Sequence, residues 1–104
     1  MIYINIKYID TNLNNEGHFM SRIIIDVREP IEFKMGHVRG AINIPPSRLM
    51  AGAEKLKGVP KDSELVLYCR TGSRSAVSMN ILRNMGYSNL INGINKDRVK
   101  ARYL

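Results

Sequence analysis

Cys69 is the only cysteine in the chain. It opens the run Cys69-Arg70-Thr71-Gly72-Ser73-Arg74-Ser75. An apolar segment, Leu65-Val66-Leu67-Tyr68, precedes it and a helix-like one, Ala76 to Met85, follows. The thiol is therefore expected at a strand-to-helix turn, among two arginines, a glycine and three hydroxyl residues. A helix N-terminus offers free N–H groups and a positive dipole end. Arginine adds fixed positive charge. Both stabilise a thiolate and any anionic group attached to it.

The magnitudes favour a reactive thiol. With an unperturbed pKa of about 8.5, only a few per cent of it is thiolate at neutral pH. Lowering the pKa by about two units takes roughly 2.7 kcal/mol of differential stabilisation. A helix N-terminus gives roughly 0.3–1 kcal/mol, and charge-assisted hydrogen bonds add roughly 1.5–3 kcal/mol each. Together they reach that figure. A cysteine kept as a small buried apolar residue needs no such surroundings.

The elements that must hold this loop follow from the apolar pattern. Five short runs read as strands: Tyr3–Lys7, Ile23–Val27, Ala41–Ile44, Glu64–Cys69 and Asn89–Ile91. Ile23-Ile24-Ile25 and Leu65-Val66-Leu67 are continuous, as in strands covered on both faces of a parallel sheet. Ala76, Met79, Leu82 and Met85 predict one helix face, stopped by Gly86. Ser47 to Lys57 predicts a second helix, with Leu49, Met50, Ala53 and Leu56 inward and Gly58 ending it. Pro30 to Met35 predicts a short third, with Pro30 near its first position. The asparagines and Gly17 of Asp10–Ser21 suit a frayed helix or a long loop. Strands alternating with helices give an α/β fold with a mostly parallel sheet. Ligands of such sheets sit beyond the C-terminal strand ends, where Asp26, Arg28 and Cys69 fall.

The 104 residues suit one domain, 1–104. Apolar residues at 44% and charged residues at 24% are ordinary for a globular protein. No stretch has the length of a membrane span, and the first residues lack the pattern of a signal peptide. A single thiol excludes an internal disulfide and fits a reducing cytoplasm. The net charge of +7 is scattered except at Lys96–Arg102, so it reads as a basic surface for small anions rather than a nucleic-acid track. One cysteine and the distant His18 and His37 make no metal site. Asp26 and Arg28 read as a structural pair near the loop. His37, in Gly36-His37-Val38-Arg39-Gly40, reads as a hydrogen-bonded turn residue ahead of a general base.

Three blocks together resemble the single-domain rhodaneses, a sulfurtransferase family. They are Ile25-Asp26-Val27-Arg28-Glu29-Pro30 with Glu32-Phe33, then Gly36 to Pro45, then Leu67 to Ser75. The similarity runs from about Ile23 to Ile94. It implies a mainly parallel five-stranded sheet flanked by helices, with the cysteine heading the active-site loop. Such domains commonly carry Gly-Gly before the last helix, and often a tryptophan after it. Here the pair is Asn92-Gly93 and tryptophan is absent. Asn tolerates positive φ better than most residues, which would preserve the turn.

The resemblance implies sulfur transfer from thiosulfate or a persulfide donor, through a persulfide on Cys69, to a thiol, cyanide or protein acceptor. No cofactor is implied. The N–H groups from Arg70 to Ser75 would cradle the anion, Gly72 would let the backbone curl, and Arg70 and Arg74 would hold the donor. Two alternatives use the same residues. One is a sulfur carrier that docks to partner proteins. The other is a phosphatase or arsenate reductase of the same fold, whose loop has one residue more between cysteine and arginine than the four here.

Overall fold

The computed structural model describes residues 22–104. Four strands form one parallel sheet: β1 (Arg22–Asp26), β2 (Ile42–Asn43), β3 (Glu64–Cys69) and β4 (Leu90–Asn95), in the order β2-β1-β3-β4. The resemblance implied five. The fifth expected strand, Tyr3–Lys7, and the segment Asp10–Ser21 lie outside the described residues. Four α-helices accompany the sheet: α1 (Pro30–Met35), α2 (Pro46–Met50), α3 (Ser73–Asn84) and α4 (Lys96–Tyr103).

Strand side chains alternate between faces, and the core divides on that parity. Ile23, Ile25, Leu65, Leu67 and Cys69 pack with Leu49 of α2 and Leu82 of α3. Ile24, Val66 and Tyr68 pack with Val38, Val99 of α4 and Phe33 of α1. The continuous apolar runs are thus buried on both sides, as expected. At the start of the central pair, Arg22 of β1 forms an ion pair with Glu64, its register partner on β3.

Two helix expectations need correction. Ser47–Lys57 is not one helix. Gly52 (φ +115°) and Ala53 (φ +50°) enter the left-handed region and end α2, and a single 3₁₀ turn follows at Glu54–Leu56. Met50, expected inward, is 75% exposed. In α3 the inward face holds Ser75, Ser78, Met79 and Leu82, while Ala76 faces out. α3 also begins at Ser73, directly after Gly72, which takes φ +94°. Glycine is the residue that turns there without a Cβ penalty.

β4 carries a bulge. Leu67 pairs with Asn92, but Tyr68 pairs with Ile94, leaving Gly93 as the extra residue. A Cβ on Gly93 would lie 2.6 Å from Val99 Cγ2, so only glycine fits under α4. The positive φ falls on Ile94 (+73°) and not on Asn92, contrary to the sequence expectation. α4 then starts immediately, with Asn95 Oδ1 accepting from Arg98 N–H at 2.9 Å.

Candidate functional site

The loop after β3 closes on its own cysteine. Gly72 N–H donates to Cys69 Sγ at 3.1 Å. Cys69 is 2% exposed, and burial pushes its thiol pKa up. The Ser75 hydroxyl and the N–H groups of Ser75, Gly72 and Thr71 outweigh burial and bring it down to about 7. Ser75 Oγ is buried and has no partner of regular hydrogen-bond geometry among the described residues. Its hydroxyl therefore acts from outside ideal geometry, as do the N–H groups of Ser75 and Thr71, and Gly72 N–H is the firm part of the cradle. Neutral pH leaves about half of such a thiol ionised. The expected part of the arginines in lowering it is secondary to these local donors.

Arg74 points elsewhere. Its guanidinium donates from Nη1 and Nη2 to the two carboxylate oxygens of Glu32, at 2.6 and 3.1 Å. The Arg74 hydrogen bonds, with a further one from Glu29 N–H, hold Glu32 down at about 2. This pair ties α1 to the first turn of α3. The arginine expected to hold a donor anion is instead engaged by a carboxylate.

Asp26 and Arg28 form the structural pair foreseen in the sequence. Arg28 Nη2 donates to Asp26 Oδ2 at 2.7 Å and to the Gly36 carbonyl at 2.6 Å. Arg28 N–H donates to Asp26 Oδ1 at 2.9 Å. Tyr68 O–H donates to Asp26 Oδ2 at 2.8 Å and accepts from Val38 N–H at 2.9 Å. Asn43 Nδ2 donates to the carbonyls of Asp26 and Arg28, both at 2.9 Å. The Asp26 hydrogen bond raises the Arg28 pKa further. Burial and the same carboxylate push the Tyr68 hydroxyl far above its ordinary value. His37 is exposed, stacked on Phe33 at 3.6 Å between centroids, with Nδ1 hydrogen-bonded to the Phe33 carbonyl at 2.8 Å. It is a turn residue by geometry.

A cleft of about 450 Å³ opens beside Cys69. Arg28 and α1 with Gly36 form one wall; Cys69 and Arg70 form its floor. The opposite wall is Asn95, Lys96 and Asp97, where β4 becomes α4. The β4 pairing explains this, since Asn95 lies opposite Cys69. Thr71 and Ser73 are exposed and hydrogen-bonded to each other at 3.2 Å. Lys96 escaped the sequence reading, which counted it in the basic C-terminal stretch. Its nearness to the cleft is set by strand register, which no local pattern reports. Its Nζ would lie 3.3 Å from a Cβ on Gly36, so the ammonium spans the cleft. Among the described residues neither Lys96 nor Arg70 has an ion-pair partner, and no group of three or more His, Cys, Asp or Glu could hold a metal. Among them, too, no helix is long and apolar enough to cross a membrane.

A parallel α/β sheet here presents one thiol in a strand-to-helix loop, hydrogen-bonded by a backbone N–H of that loop. The chain belongs to the rhodanese-like domain family, whose model matches residues 6–97. It is 41% identical over 68 residues to the probable adenylyltransferase/sulfurtransferase MoeZ of Mycobacterium tuberculosis, covering 65% of this chain and 17% of that protein. It is 40% identical over 70 residues to the thiosulfate sulfurtransferase PspE of Escherichia coli, covering 65% of this chain and 64% of that one. The match thus spans less than two thirds of each curated relative. Among solved structures, an E. coli rhodanese with anions superposes with a TM-score of 0.67 at 31% identity, over 75% of this chain and 91% of that one.

Proposed function

We propose that the chain is a sulfurtransferase. In this reading it takes sulfane sulfur from a small anionic donor, thiosulfate or a persulfide, and passes it to a thiophilic acceptor through a Cys69 persulfide. The observation that carries this is a thiol brought down to about 7 and hydrogen-bonded by Gly72 N–H, in a cleft that also holds Arg70 and Lys96, two cations with no ion-pair partner among the described residues. We take residues 1–104 as one such domain, in a reducing, cytoplasmic setting where a lone thiol stays unoxidised.

The Cys69 thiolate attacks the outer sulfur of thiosulfate. A new S–S bond forms, the donor's S–S bond breaks, and its electron pair leaves with sulfite. The persulfide anion stays in the N–H cradle, which stabilises it as it did the thiolate. Bringing a dianion to a thiolate is repulsive, and Arg70 and Lys96 offset that charge. An acceptor thiolate or cyanide then attacks the outer sulfur and restores the Cys69 thiolate. The chain has no second cysteine to take the sulfur, so the acceptor comes from outside it.

The match to a small part of the mycobacterial adenylyltransferase/sulfurtransferase favours one second reading, a domain that receives and hands on sulfur within a larger assembly. Intact mass spectrometry after thiosulfate treatment tests both. A gain of one sulfur on wild type and none on Cys69→Ser is expected. A gain only from a protein persulfide donor favours the carrier. No gain from either, together with hydrolysis of aryl phosphates, overturns sulfur transfer in favour of the phosphatase alternative.

A further inference from the structure

The β4 bulge and the Cys69 loop are joined by one side chain. Asn92 Oδ1 accepts from Ile94 N–H at 3.0 Å, which satisfies a donor that the bulge turns out of the ladder. Asn92 Nδ2 donates to the Gly72 carbonyl at 3.0 Å. That carbonyl also accepts from Ala76 N–H at 2.9 Å, the first hydrogen bond of α3. Gly72 has the loop's freest backbone, at φ +94° and ψ −10°, and its own N–H is the donor to Cys69 Sγ. A glycine does not hold such a conformation by itself, because it pays the largest entropy for being fixed. Here both sides of Gly72 are tied: its N–H to sulfur, its carbonyl to helix and strand. Ile94 lies beside the same glycine, with Cγ1 3.5 Å from where a Gly72 Cβ would stand, an ordinary contact distance. Ile94 itself takes a left-handed φ of +73°, costly for a β-branched residue.

We infer that Asn92 is a positioning residue for the nucleophile: its amide bridges the β4 bulge to the Gly72 carbonyl and so aims the Gly72 N–H at Cys69 Sγ. The inference rests on Cys69 as the nucleophile and adds the residue that shapes its cradle. It also gives the Asn-Gly pair of this chain a role that a Gly-Gly pair cannot fill, since glycine has no side chain to reach the loop.

Cys69 is the sole thiol, so iodoacetamide alkylation of the whole protein, followed by mass against pH, reports it alone. The wild-type midpoint is expected at about 7. Asn92→Ala should raise that midpoint by about half to one pH unit. Turnover with thiosulfate should fall about threefold to tenfold in kcat with KM unchanged. Should Asn92→Ala fail to fold, Asn92→Gly takes its place, since the resembled domains commonly carry glycine there. Ile91→Ala, on the same strand and packed in the core, should lower the thermal midpoint without moving the alkylation midpoint. A folded Asn92 variant with the wild-type midpoint overturns the inference, as does an equal shift in Ile91→Ala. Absence of persulfide on wild type would sink the sulfur-transfer reading alone, because alkylation does not depend on it.

Discussion

The turn after β1 and the loop after β3 lie side by side, with Asp26 and Tyr68 in register and Val27 N–H bonded to the Tyr68 carbonyl at 3.0 Å. They are built on opposite principles. The β1 turn buries formal charges and matches each one: Asp26 receives Arg28 and Tyr68, and Arg28 also reaches Gly36. The β3 loop pairs its sulfur with no side-chain cation by hydrogen bond and holds it by a backbone N–H instead. The contrast shows where each device is useful. An ion pair buried on both sides is spent on rigidity, because neither charge remains for a ligand. N–H donors stabilise whatever anion stands in front of them, and under the proposed sulfur transfer the same donors would serve thiolate and persulfide in turn.

The widest separation between the two regions should appear in a pair of truncations. Cys69→Ala should abolish sulfur transfer and leave the urea midpoint nearly unchanged. Asp26→Ala should destabilise the fold by about 3–5 kcal/mol, because it strands a buried guanidinium. The contrast breaks if Asp26→Ala unfolds at the wild-type urea concentration, or if Cys69→Ala retains turnover.

A smaller effect sharpens the assignment of the cations. Arg70→Ala and Lys96→Ala should each raise KM for thiosulfate on the order of tenfold, the loss of one charge-assisted contact. An uncharged persulfide donor should feel much less. Arg74→Ala should change that KM little and cost about 1 kcal/mol or less of stability, as a partly exposed pair. Steady-state kinetics with both donors decides this, and a KM rise confined to Arg74→Ala would reverse the roles.

The smallest effect concerns the clamp between α1 and α3. Glu32 has its pKa lowered to about 2 in the folded chain, below its ordinary 4.5. Unfolding therefore takes up a proton between these values, and the pair's contribution is lost as pH falls through that window. The thermal midpoint of wild type should exceed that of Glu32→Gln above pH 4.5 and converge with it near pH 2. A gap that stays constant over this range would mean that the Arg74 pair contributes nothing.

Much of this was legible in the residues. The strands around Ile23–Ile25 and Leu65–Leu67, the Asp26–Arg28 pairing and the turn role of His37 all follow from local composition. The thiol's setting did too, since a strand, a glycine and a helix start are written consecutively around Cys69. What escaped depended on distant segments. Arg74 is adjacent to the cradle in sequence, but Glu32 on another helix claims it. Lys96 is far from Cys69 in sequence, but the β3–β4 register brings it to the cleft. The 47–57 helix failed for a local reason: Gly52 and Ala53 take left-handed φ and end it six residues before Gly58, the expected stop.

The extra residue at Gly93 has a consequence for how length changes act here. The ladder partners Leu67 and Tyr68 belong to opposite faces of the sheet, yet the residues paired with them, Asn92 and Ile94, both stand against Gly72. The surplus glycine lets two successive rungs point the same way. Pairing and side-chain phase are therefore uncoupled at this one place. Deleting Gly93 would leave every rung of the ladder with the same partner, but ordinary alternation would return. Either Asn92 or Ile94 would swing to the far side of the sheet. A one-residue gap at this position is thus silent in the hydrogen-bond register and disconnects the strand from the loop it braces.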